Sequence, residues 1–141
     1  MKIQQYIQEK VQKYYQEDDI NCATANLKIL ANQFDVSLNQ QVINAAIGMH
    51  GAGSYGAQCG LVEGMLMFLG ILGRANSYSE KRIAETCKTY ASTFEKEFGS
   101  LLCSSLRPEG FGPEVPPHLC TDITEKAIFF NFNFIKSHLI K

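Results

Sequence analysis

Apolar residues recur along this chain at steps of three and four, the period of helices that bury one face. Ile3, Ile7, Val11 and Tyr14 form a first stripe. After the acidic break Glu17-Asp18-Asp19, a second runs from about Asn21 to Phe34 through Ala23, Leu27 and Leu30. Ser37, with Gln40 three residues on, has the pattern of a capping box and predicts a third helix through Ile47. A fourth carries Leu61 to Leu72. Ser77 and Glu80 repeat the box and open a helix along Ile83, Cys87, Tyr90, Ala91, Phe94 and Phe98, with Gly99 placed to end it. The segment SLLCSSL predicts a short helical turn. Pro108, Pro113, Pro116 and Pro117, joined by Gly110 and Gly112, mark a loop. A last helix is expected from about Thr121 toward Leu139, although its FFNFNFI run alternates as a strand would. The pattern predicts an all-α, single-domain bundle of about six helices over the whole chain, with no internal repeat and no linker.

Composition narrows the partners. The 141 residues are 45% hydrophobic and 19% charged, with a formal net charge of −1. That is a globular balance, long enough for one core of ordinary size. No basic run is present, which argues against nucleic acid or an anionic membrane surface as the main partner. The first residues lack the short apolar core of a signal peptide. The most apolar segment, Ala57 to Gly73, contains Glu63 and is too short for a convincing membrane span. A cytoplasmic location is the resulting expectation. Permanent disulfides are uncommon there, so the five cysteines call for metal binding, redox chemistry or simple burial.

One stretch concentrates the chemistry. In GAGSYGAQCGLVEG, five glycines (Gly51, Gly53, Gly56, Gly60 and Gly64) surround Cys59. GAGSYG matches GxGxxG, but a dinucleotide fingerprint needs a preceding strand and a second strand after the helix, and neither is predicted. A nicotinamide cofactor is therefore not expected. Ser54 is not in a GxSxG elbow, because position 52 is Ala. Gly60 and Gly64 lie four apart on one helix face, where another helix or a bound group can come close to the backbone. Tight helix packing alone would account for them.

The cysteines share a placement. Cys22 follows the plausible caps Asp19 and Asn21, Cys59 falls at the start of the fourth helix, and Cys120 immediately precedes Thr121-Asp122. At helix N-termini unpaired backbone N–H groups favour a thiolate and raise nucleophilicity at neutral pH. Cys103 lies at the edge of the Pro/Gly loop. Cys87 sits mid-helix on the Ile83/Phe94 face, as a buried spacer would. No CxxC pair supports a zinc ribbon, and no CxxCH supports covalent haem. His118, two residues before Cys120, could join a metal site built from separate helices, though a solvated loop histidine is the plainer outcome. His50 and His138 carry no signal of their own.

Taken together, Cys22, then Cys59-Gly60-Leu61-Val62-Glu63-Gly64, then FGSLLC ending at Cys103, then Cys120, resemble the C_GCAxxG_C_C family of redox-active proteins. The likeness runs from the second helix to the last. Its one departure is Leu61, where the family motif has Ala, and Cys87 falls outside the pattern. The resemblance implies redox chemistry through Cys22, Cys59, Cys103 and Cys120, and leaves substrate and redox partner open. Three functions compete. The first is an oxidoreductase working by thiol–disulfide exchange or electron transfer. In the second, the same four thiolates, with His118 as a weaker candidate, hold an iron–sulfur cluster or other metal. The third is a helical interaction module whose cysteines are merely small apolar residues. Finally, Phe129, Phe130, Phe132, Phe134 and Ile135 surround so much of the last helix that a homodimer through it is expected.

Overall fold

Burial selects among the stripes. The computed structural model describes residues 2–107 and 121–139. Among them run α1 (Ile3–Gln16), α2 (Cys22–Gln33), α3 (Gln40–Ala45), α4 (Gly51–Ser54), α5 (Gly60–Ala75), α6 (Glu80–Phe98), α7 (Cys103–Leu106) and α8 (Thr121–His138). No strand occurs among the described residues, only an isolated antiparallel bridge between Gln58 and Leu102. The chain is all-α as expected, but eight helices replace about six: five of 12 to 19 residues, and three short turns of four to six. The short turns carry too little periodicity to be counted from sequence. The four prolines, His118 and Cys120 lie outside the described residues.

Local signals held where one residue decides them. Asn21 caps α2 by accepting the Thr24 N–H at 3.0 Å. Gly99 ends α6 in the left-handed conformation, φ 88°, its N–H donating to Glu95 O at 2.8 Å. Both capping boxes fail. Ser79, not Ser77, caps α6 by accepting the Arg82 N–H at 3.1 Å, so Glu80 stands at the first helical position. Ser77 is instead a left-handed turn residue, φ 63°. Asn39 precedes α3 without a side-chain cap, and that helix stops at Ala45, short of Ile47. On α1 the buried stripe is Ile7, Val11 and Tyr15. Tyr15, not Tyr14, turns inward because its hydroxyl meets Thr124 Oγ1 at 2.9 Å.

The core joins α1, α2, α5, α6 and α8. The FFNFNFI run is helical, and it alternates because Asn131 is buried in a polar contact while Asn133 faces out. Its rings meet several neighbours within the chain. Phe132 lies 5.4 Å from Phe34 of α2, and Phe130 and Phe134 join Tyr90, Phe94 and Phe98 of α6. Among the described residues the exposed large hydrophobics are Ile47, Tyr55 and Leu102, none on α8. Phe134 and Ile135 of the patch that motivated a dimer are buried, while Phe129, Phe130 and Phe132 are partly buried. No helix among the described residues is long and apolar enough to cross a membrane.

Candidate functional site

The glycine stretch begins in an unusual backbone. Gly51, Ala52, Gly53 and Ser54 all take positive φ (64°, 56°, 67° and 68°), making a left-handed turn. For L-residues that conformation costs about 1–2 kcal/mol each, so Ala52 and Ser54 hold strain. No strand precedes the turn, and the dinucleotide pattern is coincidental.

Beyond it, two short segments zip together. The Cys59 N–H donates to Leu101 O at 2.8 Å, the Cys103 N–H to Ala57 O at 2.7 Å, and the Ser104 N–H to Gly56 O at 3.1 Å. Around the Gln58–Leu102 bridge, these bonds tie the segment bearing Cys103 to the segment bearing Cys59. Cys59 is then the N-cap of α5, its carbonyl accepting from Val62 and Glu63 at 3.0 and 2.9 Å.

The glycines are explained by what lies against them. A Cβ on Gly60 would fall 2.4 Å from Cys22 Sγ and 3.1 Å from the His50 Cα. On Gly64 it would fall 2.6 Å from Ala23 O. On Gly51 it would meet Cys103 Cβ and Sγ at 3.0 and 3.1 Å. Real Cβ atoms do not approach as closely as those on Gly60 and Gly64 would, so Gly60 makes room for the Cys22 sulfur, while a Cβ on Gly51 would press tightly on Cys103. The structure thus brings Cys22 and Cys103 against a single unit of backbone that begins at His50 and ends in the α5 cap. Leu61 does not open this seam: its side chain is buried, while the Gly60–Gly64 face stays in contact with α2.

Cys22 opens α2 half-buried, Cys103 opens α7 half-buried, and Cys59 is 5% exposed. Cys87 is also half-buried, packing from α6 against the core, and burial pushes its thiol pKa up. No group of three or more His, Cys, Asp or Glu side chains that could hold a metal occurs among the described residues. Cys22, Cys59 and Cys103 therefore do not form a metal cage by themselves.

Sequence reasoning passed over two neighbours. His50 adjoins both Gly51 and Gly60, and its Nδ1 is buried without a hydrogen-bond partner among the described residues. Its place directly before the glycine run was the available signal. Tyr90 is pushed well above the ordinary tyrosine pKa, chiefly by burial and then by the nearby Cys59 charge, against a lowering hydrogen bond with Asn131. His138 lies elsewhere, stacked on Phe134 at 3.9 Å.

A family model described as "Putative redox-active protein (C_GCAxxG_C_C)" matches residues 20–130. No curated protein and no solved structure matches the chain.

Proposed function

The chain belongs to the C_GCAxxG_C_C family, and we propose that it is redox-active and works by thiol–disulfide exchange through Cys22, Cys59, Cys103 and Cys120. The observation that carries this reading is the seating of the Cys22 and Cys103 sulfurs where Gly60 and Gly51 leave room, against the segment that Cys59 ends. Thiols at helix starts suit exchange, since the N-terminal amides favour the attacking thiolate.

In the proposed step, one site thiolate attacks a sulfur of a partner disulfide. The partner S–S bond breaks, a mixed disulfide forms, and the departing thiolate takes up a proton. A second site cysteine, losing its proton, attacks the mixed disulfide and releases the other partner thiol. Two electrons and two protons pass to the partner, and the protein is left with an internal disulfide. Gly60 and Gly64 serve by letting α2 lie close enough for Cys22 to take part. The reaction belongs to a compartment where dithiols are kept reduced, and the cytoplasm is our proposal. Phe130, Phe132 and Phe134 meet rings of the same chain, yet Phe129, Phe130 and Phe132 keep part of their surface, and a homodimer through that helix is our proposal.

Iron and acid-labile sulfide analysis of anaerobically purified protein, with a visible spectrum, tests the reading. Colourless protein lacking stoichiometric iron, whose thiols disappear in pairs on oxidation with diamide, is expected. A cluster spectrum with matching iron and sulfide would overturn it in favour of the same cysteines as ligands.

A further inference from the structure

Where α2, α5, α6 and α8 meet, three fully buried polar side chains form a relay, and we infer that Tyr90, Asn131 and Asn26 are positioning residues of the thiol site. The Tyr90 hydroxyl donates to Asn131 Oδ1 at 2.7 Å. Asn131 Nδ2 donates to Asn26 Oδ1 at 3.2 Å and to Leu61 O at 3.3 Å, and Asn26 Nδ2 donates to the same Leu61 O at 3.3 Å. All three residues are 0% exposed. Leu61 lies inside α5, where the helix already supplies its carbonyl with a donor. Two further amides, from two other helices, are therefore not needed to satisfy that oxygen. They pin it.

The pinned point follows Cys59 and Gly60 directly in the chain. Asn26 sits four residues after Cys22 on the same face of α2, and its Nδ2 lies 3.2 Å from where a Gly64 Cβ would be. The relay thereby fixes the rotation of α2 over α5, which sets where the Cys22 sulfur rests on Gly60. On the α6 side, Tyr90 stands close enough to Cys59 to feel its charge. For stability alone, apolar side chains of like volume would serve as well, because a buried hydrogen bond gains little over a matched apolar pair. What an apolar core would lack is directional registration of the two cysteine-bearing helix starts.

This inference rests on the thiol-exchange reading. Its test compares wild type with Tyr90→Phe and with Tyr78→Phe, each equilibrated in glutathione buffers with thiols counted by mass. Tyr78 makes a good control. Its hydroxyl also donates to the residue just past α8, Leu139 O, 3.0 Å away, but its own N–H bonds Gly73 O, at the end of α5 away from Cys59. Tyr90→Phe should weaken the site disulfide about tenfold or more in its glutathione equilibrium, because Asn131 is left with an unpaired buried oxygen and the relay loosens. Tyr78→Phe should leave that equilibrium within about twofold while still lowering stability. Asn26→Ala, which removes the α2 arm and leaves the Tyr90–Asn131 bond, should shift it like Tyr90→Phe. If Tyr90→Phe and Asn26→Ala lower the unfolding midpoint and leave the equilibrium unmoved, the relay is structural only and the inference is wrong. A wild type whose thiols do not respond to the glutathione ratio would remove the exchange reading, and this inference with it.

Discussion

Where α2 meets α5, backbone lies on backbone: a single carbon added at Gly64 would stand 2.6 Å from Ala23 O. Where α6 meets α8, rings meet rings, with Phe94 and Phe98 at 4.5 Å and Phe130 at 6.0 and 5.5 Å from them. The first contact is rigid, because a helix backbone cannot retreat without moving the whole element. The second is made of side chains with rotamers to exchange, so it tolerates a change of shape better than a loss of volume. Cys22 and Cys59 open the rigid region, and Cys87 lies on the aromatic helix. The proposed chemistry thus falls where position is least negotiable.

Substitutions can break or sharpen that contrast. The largest expected effect is Phe94→Ala, which empties the middle of the ring cluster and should cost about 3–5 kcal/mol. Urea denaturation would show it as a lower midpoint, with thiol reactivity unchanged in the fraction still folded. Gly64→Ala adds one carbon yet should cost about 1–3 kcal/mol, since Ala23 O is backbone and cannot give way. Unlike Phe94→Ala, it should also alter the alkylation rate of Cys22. A neutral Gly64→Ala would show the seam to be looser than described. Ser79→Ala removes the α6 cap far from either region and should cost about 1 kcal/mol, read as a modest fall in melting temperature. Smallest, and opposite in sign, Ala52→Gly should stabilise by about 0.5–1 kcal/mol, because glycine takes the left-handed turn without the penalty an alanine meets. Loss of stability there would mean that the turn is not strained.

Oligomeric state bears on the aromatic region alone. With Phe129, Phe130 and Phe132 only partly buried within the chain, sedimentation at micromolar concentration should give a dimer, and a clean monomer of 15.7 kDa would show that ring contacts within the chain suffice. A tight dimer disrupted by substitutions on α8 would show that those rings have a second use.

Much of the fold was legible because it is written in local spacing. The α6 stripe and its Gly99 stop, the Asn21 cap and the Gly60–Gly64 face each depend on residues a turn apart. The capping boxes misled because Ser77 and Ser79 both offer a hydroxyl. The choice between them falls to the turn after α5, where the Ser77 N–H bonds Arg74 O and the Tyr78 N–H bonds Gly73 O. The pairing of Gly51 with Cys103 was not legible, since it arises from a bridge between distant segments. Asn131 was hidden differently: in a phenylalanine run it looked like the polar beat of a strand, and only α2 and α6 reveal what it bonds. His50 had no partner in sequence, because its neighbours come from α5 and from the turn it precedes.

The central claim is that the glycines seat a set of reactive thiols distinct from Cys87. Its most direct test is to equilibrate the protein across a range of glutathione ratios, quench with an alkylating reagent, and map every cysteine by peptide mass spectrometry. The account predicts a reversible disulfide drawn from Cys22, Cys59, Cys103 and Cys120, with Cys87 remaining a thiol until the set is fully oxidised. Oxidation that begins at Cys87, or that joins no two members of the set at any ratio, would contradict it.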